Sequence, residues 1–231
     1  MGRHLGGGEG MSPIGQPGPP VGAIVTSEAE LRDLYRAPSR LVAAKKLDPI
    51  DDATRDVIGS SPVCLVATVG GDGGLDVSPR GGPPGFVRVL DVHHLAIPDL
   101  NGNNLIDSLR AVVSTGRAAL LVVVPGKDET VRVNGQAWVS TDDALLDLWA
   151  DELRRPTTAI VVRAGEVFMH CAKAFRRGRV WEPASWGELV DAPDGIDVLG
   201  AQGLVGDVDD DLRAALERGY AADLAADAPE A

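Results

Sequence analysis

The hydrophobic pattern of the first sixty residues follows a helical period. Residues 26–38, TSEAELRDLYRAP, predict a short amphipathic helix in which Ser27 is the N-cap and Glu30 completes a capping box. A second helix is predicted over 48–62, with Asp48 as its cap. The chain therefore begins with helices before its pattern changes.

At residue 63 the pattern becomes typical of strands. The run VCLVATV is continuously apolar and rich in β-branched residues, which indicates a buried strand. Glycine-rich or polar turns separate it from further apolar runs, so the segments are predicted to pair as successive hairpins. The predicted strands cover 63–69, 75–79, 86–90, 94–98, 118–125, 130–140 and 157–163.

Further helices are predicted over 103–116, 141–153 and 207–226, where apolar residues recur at three- and four-residue intervals. The strands follow one another in hairpins and do not alternate with helices, as a doubly wound parallel sheet would require. The pattern alone predicts an antiparallel barrel of six or seven strands, with helices at its ends and corners.

Composition narrows the possible functions. The chain carries 34 acidic and 22 basic residues, a formal net charge of −12, which disfavours binding to nucleic acid or to an anionic membrane. Its two cysteines, Cys64 and Cys171, form no CxxC pair, and no apolar run has the length of a transmembrane helix. We expect a reduced, cytoplasmic protein with no nucleic-acid partner, no membrane partner and no metal site.

The ends of the chain differ in composition from its centre. Residues 1–24 are rich in glycine and proline and are predicted to be a disordered leader, because they cannot bury enough apolar surface to offset the entropy of ordering. Residues 25–225 are predicted to be a single domain with helices at both ends. Residues 226–231 are predicted to be a flexible tail.

Two segments combine polar side chains with a restricted backbone. In DVSPRGGPPGF, Ser78 and Arg80 end a strand and enter a turn, where a hydroxyl and a guanidinium could clamp an anion. A solvated surface turn is the alternative. In IPDLNGNNLIDSLR, a helix start near Asn103 and Asn104 offers N–H groups to a phosphate, but asparagine is also an ordinary N-cap.

Two later segments are also candidates. Arg132 and Asn134 fall on one face of a predicted strand and would address a ligand if that face lined a barrel mouth; an ordinary exposed strand face is the alternative. Gly135 indicates a bulge or a close approach. The segment EVFMHCAKAFRRGRVW joins His170 and Lys173 to several arginines. A metal site or a Cys–His nucleophile is disfavoured there, because neighbours in sequence seldom reach such geometry.

Taken in order, LDVSPRG-PPGFVRVL, LAIPD-NGNN-DSLR, TVRVNGQA and HCAKAF-R-R-W resemble the pyridoxamine 5′-phosphate oxidase-like split-barrel flavoproteins, and more narrowly a subgroup of FMN-dependent enzymes. The resemblance implies a mainly β (α+β) fold, a six-stranded antiparallel Greek-key split β-barrel with flanking helices. It also implies a homodimer with FMN at the interface, and a small-molecule substrate that exchanges a hydride or electrons with the flavin.

The resemblance assigns roles to individual residues. His170 and Lys173 are candidates for proton delivery to substrate. Lys173, Arg177 and Trp181 would come from the partner subunit. The cofactor-binding residues that it implies are Ser78, Arg80, Pro98, Asp99, Asn103, Asn104, Ser108, Arg132, Asn134, Lys173, Arg177 and Trp181.

The chain departs from the family pattern at two glycines. Gly82 stands where relatives are expected to carry an acid, and Gly178 where they are expected to carry a serine. Both changes are expected to affect the substrate side more than the FMN side. The substrate-phosphate signature of true pyridoxamine-phosphate oxidases is not recognisable, so that activity is not expected. The alternatives are a non-catalytic flavin- or haem-binding carrier or sensor, and a deazaflavin-dependent reductase on the same fold.

Overall fold

The computed structural model describes residues 22–187 and 191–229. Contacts divide the chain into two units, Met1–Ala43 and Ala44–Ala231. Most of the predicted leader, residues 1–21, and the last two residues of the predicted tail lie outside the described residues.

The first unit contains α1 (Glu28–Leu34) and most of α2 (Arg40–Ala44). Ser27 caps α1 as predicted, because its side chain accepts a hydrogen bond from the Glu30 backbone N–H. The Glu30 carboxylate reaches back one residue further than a capping box requires, to the Thr26 N–H at 2.9 Å. All described residues of this unit are exposed.

The second unit is built on an antiparallel sheet. Its strands are β1 (Val63–Val69), β2 (Leu75–Gly81), β3 (Arg88–Val89), β4 (His94–Pro98), β5 (Arg117–Val123), β6 (Thr130–Ser140) and β7 (Ala159–His170). In the described part of the chain they form one seven-stranded sheet in the order β2-β1-β5-β6-β7-β4-β3. The antiparallel sheet with flanking helices is confirmed, with seven strands where the resemblance implied six; closure into a split barrel stays a prediction.

Six helices belong to this unit. They are α3 (Asp52–Gly59), α4 (Asp107–Thr115), α5 (Asp143–Leu146), α6 (Lys173–Gly178), α7 (Gly195–Ala201) and α8 (Asp210–Ala226), as far as the described residues show. α3 begins later than predicted, because Asp51 rather than Asp48 accepts the capping hydrogen bond, from the Thr54 N–H. α4 also begins later than predicted, because Asn104 and Ile106 have φ of 57° and 55°, which interrupts a right-handed helix.

Two strands differ in length from their predictions. The predicted strand 86–90 shrinks to β3, because the Phe86 N–H turns back to the Pro83 carbonyl at 2.9 Å and the Phe86 ring is buried. The predicted strand 157–163 extends to His170, because residues 164–170 continue to pair with β6. A register shift between Asn134 and Gly135 confirms the predicted bulge.

The alternation of side chains gives the sheet two distinct faces. Residues directly opposite each other in an antiparallel pair lie on the same face. The inner row runs from β2 to β7 through Ser78, Val66, Leu120, Val133 and Val167, and its apolar members are core residues. The neighbouring row, on the outer face, runs through Pro79, Leu65, Leu121, Arg132 and Phe168. α4 packs on β1 and β2, and its Val112 joins the core.

Candidate functional site

The start of α4 meets β2 in a network of hydroxyls around one carboxylate. The Asp76 carboxylate accepts hydrogen bonds from the hydroxyls of Ser108 at 2.6 Å, Ser78 at 3.0 Å and Thr68 at 3.3 Å. Strand alternation places Asp76, Ser78 and Arg80 on the inner face of β2. Ser108, in the first turn of α4, is buried against them. The network fixes the start of the helix relative to the strand.

Arg80 extends from the same strand toward the loop that follows β4. Its Nη1 donates to Asp99 Oδ1 at 3.0 Å, and the two side chains are 23% and 24% exposed. Its Nε is buried and, among the described residues, has no hydrogen-bond partner. Cys64 lies directly opposite Arg80 on β1, and burial raises the pKa of its thiol to about 12, although the nearby Arg80 charge acts in the opposite direction. Arg80 therefore keeps a buried donor without an acceptor.

The loop before α4 is shaped by asparagines. Asn103 Oδ1 accepts a hydrogen bond from the Leu105 N–H at 3.1 Å, and Asn104 takes the left-handed conformation. Ile106 is the N-cap residue and makes no side-chain capping bond. The first N–H groups of α4 are therefore not capped by the residue that precedes the helix.

Two adjoining cavities lie at this corner of the fold. The smaller one, about 240 Å³, is lined by the network, by Arg80 and by the loop 99–106. The larger one, about 960 Å³, begins at the turn after β2. Seven of the predicted cofactor residues line one or both: Ser78, Arg80, Pro98, Asp99, Asn103, Asn104 and Ser108.

The smaller cavity is lined mainly by acidic side chains where it carries charge. Its lining includes the carboxylates of Asp76, Asp99 and Asp107, and a single guanidinium, that of Arg80. An anion that enters this cavity meets the exposed part of the Arg80 side chain and the positive end of the α4 dipole. It also meets the negative charge of the carboxylates. The donors suit a phosphate, and the acids weaken its binding.

A second cluster occupies the outer face of β6 and β7. Glu166 accepts hydrogen bonds from Arg132 at 2.9 Å and from the Asn134 amide at 2.8 Å, and forms an ion pair with Lys46 at 2.9 Å. Hydrogen bonds from Lys46 and then Arg132 hold the pKa of the Glu166 carboxyl below its usual value. The Arg132 guanidinium also lies 4.2 Å from the centre of the Phe168 ring.

The two candidate proton donors lie at and just beyond the end of β7. His170 packs its ring 4.8 Å from that of Phe168, and its pKa is lowered by burial first and then by the charges of Arg132 and Lys45. Lys173 is exposed at the first position of α6.

The other two predicted residues of this segment lie in or after α6. Arg177 is exposed on the helix. Trp181 follows the helix, and its indole N–H donates to the Lys127 carbonyl at 2.8 Å.

The predicted site residues thus fall into separate groups. The group around Arg80 lies on the inner face of the sheet, whereas Arg132 and Asn134 lie on the outer face. Residues of opposite faces cannot contact one ligand within one chain unless the ligand passes an edge of the sheet. A site that combines both groups therefore requires either a ligand that passes an edge of the sheet or a second chain, and the arrangement with a second chain stays a prediction.

Sequence reasoning missed several residues of these groups. Asp76 was detectable, because it lies two positions before Ser78 and alternation places both on one face. Glu166 and Lys46 had no such signal, since nothing local connects them to Arg132. Asn101, on the loop between β4 and α4, also lines the larger cavity.

The structure gives a reason for glycine at position 82. A Cβ on Gly82 would lie 2.7 Å from the Cβ of Phe86 and 2.9 Å from its Cγ. The acid expected at this position in relatives would require the buried Phe86 to move. Glycine stands at position 82 because the turn packs closely against Phe86 and leaves no room for the side chain of an acid.

In residues 22–187 and 191–229, no group of three or more histidine, cysteine, aspartate and glutamate side chains could hold a metal ion. No helix in these ranges is long and apolar enough to cross a membrane.

Solved structures similar to this chain match about half of it. HupZ of Group A Streptococcus is 16% identical, with a TM-score of 0.44, over 52% of this chain and 93% of its own. A putative pyridoxamine 5′-phosphate oxidase from Lactobacillus delbrueckii is 24% identical, with a TM-score of 0.42, over 54% and 98%. The FAD binding protein from Mycobacterium smegmatis is 14% identical, with a TM-score of 0.37, over 54% and 97%.

No curated protein matches the sequence. The family model described as pyridoxamine 5′-phosphate oxidase matches residues 50–171, which is more than half of the chain and contains all seven strands. The chain therefore belongs to the pyridoxamine 5′-phosphate oxidase family.

Proposed function

We propose that the protein is an FMN-dependent oxidoreductase that acts on a small molecule. One observation carries the proposal: the partly exposed guanidinium of Arg80 lines the same cavity as the start of α4, whose first turn is not capped by Ile106. A guanidinium donor and a helix N-terminus are two groups that together favour a phosphate. The family to which the chain belongs makes the phosphate ester of a flavin the first candidate.

The residues that would hold FMN are those of the two adjoining cavities. Arg80, Ser78 and Ser108 would contact the phosphate, and the apolar side chains around the larger cavity would contact the ring. Bound FMN would supply the hydride or electron transfer. The chain would position the ring and exclude water from it. His170 remains the candidate for proton delivery to substrate. Its lowered pKa favours the neutral imidazole, so it would have to take up a proton before it could deliver one.

FMN would compete with Asp99 for Arg80. Asp99 already accepts a hydrogen bond from Arg80, so a phosphate must share this guanidinium with a carboxylate. Charge-assisted hydrogen bonds contribute about 1.5–3 kcal/mol each, and repulsion from the acids subtracts from that gain. We expect FMN affinity to be limited by Asp99 more than by the lack of donors.

The proposal includes a homodimer that covers the outer face of the sheet. Leu75 and Val77 on β2 are 84% and 64% exposed, and Leu65 and Leu121 continue the apolar surface on β1 and β5. An apolar surface of this kind favours a protein partner. The same face carries Arg132, so a second copy seated there would bring this arginine close to another chain.

The first experiment is the absorbance spectrum and mass of whatever co-purifies with the protein, followed by titration with FMN and riboflavin. Flavin absorbance, the mass of FMN and reduction of the bound flavin by a nicotinamide donor would support the proposal. A Soret band would replace it with haem binding. Binding of a deazaflavin without FMN would replace it with the reductase alternative, and a bound flavin that no donor reduces would indicate a carrier.

A further inference from the structure

The larger cavity has a wall that lies outside the part of the chain matched by the family. One wall is the turn after β2 and another is the loop between β4 and α4. A third wall is the end of α8 together with the residues that follow it, which contribute Leu224, Asp227, Ala228 and Pro229. The family match ends at residue 171, so it gives no role to this helix.

The end of α8 is bound to the loop that carries the counterion of Arg80. The Asn101 side-chain amide donates to Asp223 Oδ1 at 3.1 Å, and the Asn101 backbone N–H donates to Asp227 Oδ1 at 3.1 Å. The Asp227 carbonyl accepts from the Arg154 N–H at 2.8 Å. Asn101 lies two residues after Asp99. The helix therefore restrains the segment that places Asp99 against Arg80.

The two carboxylates at the end of α8 do not stabilise the helix itself. Carboxylates near a helix C-terminus are disfavoured by the macrodipole, and the last turn of α8 contains no basic residue. Asp223 and Asp227 nevertheless stand there and accept hydrogen bonds from Asn101. Their position is explained by the contact with the loop.

The apolar side chains of the cavity indicate what it accommodates. Leu224 is 72% exposed where it lines the cavity and Leu100 is half-buried, whereas Leu153 and Pro98 are buried and expose little surface to it. The lining also includes polar and charged side chains, so the cavity would offer a ring apolar contact beside groups that orient it: Ser78, Arg80, Asn101, Asn103, Glu152 and Asp227. The smaller, acidic cavity with its single guanidinium lies next to it.

We propose that the end of α8 is part of the ligand site. Leu224 forms a wall against the planar ring of the ligand, and Asp227 is a positioning residue that fixes the loop bearing Asp99. This inference rests on the proposed flavin site. It adds that the ring and the phosphate are held by different elements, the ring by α8 and the phosphate by Arg80 and the start of α4.

The test compares FMN with riboflavin, which has the same ring and no phosphate. Leu224→Ser is expected to weaken both ligands by the same factor, about tenfold, which corresponds to about 1.4 kcal/mol. The matched control is Leu204→Ser, because Leu204 is 69% exposed and does not line the cavity. The control should leave both dissociation constants unchanged.

A second pair of variants tests the positioning role. Asp227→Ala is expected to tighten FMN binding and to leave riboflavin binding nearly unchanged, because the released loop no longer holds the competing Asp99 carboxylate against Arg80. Asp227→Asn keeps an oxygen acceptor for the Asn101 N–H and should return FMN affinity to the wild-type value. Thermal unfolding of both variants accompanies the titrations. Equal changes in the affinity of the two ligands, or an Asp227→Asn variant that behaves like Asp227→Ala, would contradict positioning by Asp227.

The outcomes separate this inference from the proposed function. Wild-type protein that binds neither FMN nor riboflavin overturns both. Wild-type protein that binds FMN while Leu224→Ser leaves both dissociation constants unchanged overturns the role of α8 alone. Loss of affinity in the Leu204→Ser control would also overturn it, since the effect would then not belong to the cavity.

Discussion

The replacement Arg80→Ala tests the central electrostatic claim. The Arg80 side chain is 23% exposed and lines the cavity, so a bound phosphate would gain at least one charge-assisted hydrogen bond from its guanidinium. Loss of one such bond costs about 1.5–3 kcal/mol, which predicts FMN affinity lower by roughly 10- to 150-fold. Riboflavin has no phosphate, and its affinity should change little.

The same replacement also affects the folded protein. The Arg80–Asp99 pair is about one quarter exposed, so it lies between a surface pair and a buried one. Its loss leaves Asp99 partly desolvated without its cation, and we expect the free energy of unfolding to fall by about 1–2 kcal/mol. Binding should therefore be measured well below the midpoint of thermal unfolding.

The assay is titration calorimetry with FMN and riboflavin, and Asp99→Asn is the matched control. Asp99→Asn removes the competing negative charge and keeps Arg80, so FMN should bind several-fold more tightly and riboflavin equally well. The reasoning would be refuted if Arg80→Ala left FMN affinity unchanged. It would also be refuted if riboflavin affinity fell by the same factor as FMN affinity.

Four further predictions address the sheet and its side chains. Val77→Asp should convert a dimer to a monomer in light scattering, because it places a charge on the exposed apolar face. Gly135→Ala should lower the free energy of unfolding by about 2 kcal/mol or more, because a Cβ there would overlap a backbone carbonyl of β7. The midpoint of thermal unfolding should fall accordingly. The pKa of His170, followed by NMR, should lie below its usual value of 6.5; its contribution to stability is then present at neutral pH and lost as the pH falls below that value. Native Cys64, with a pKa of about 12, should not react with a thiol reagent at pH 8, whereas exposed Cys171 should react.

Much of the local structure was predictable because it depends on neighbouring residues. β4 and β6 have the bounds that the hydrophobic runs predicted, and β1 does too. The alternation on β2 places Asp76, Ser78 and Arg80 on one face regardless of what surrounds the strand. The bulge at Gly135 and the cap at Ser27 also follow from single residues and their neighbours.

The errors arose where a contact between distant segments decided the outcome. The predicted strand at 86–90 is short because Phe86 is buried in the core and the preceding turn packs on it. Local propensity cannot weigh such tertiary contacts.

The sequence by itself determined that strands pair as antiparallel hairpins, which residues share a face of each strand, and that donors for an anion flank the Ser-Pro-Arg turn. Only the tertiary structure decided that Asp99 neutralises Arg80, that Arg132 lies on the opposite face of the sheet, and that the end of α8 closes the larger cavity. The physical reason is the separation along the chain of the residues that interact. Side-chain periodicity records whether a position is buried or exposed, whereas ion pairs and cavity walls join residues that are 19 to 126 positions apart along the chain.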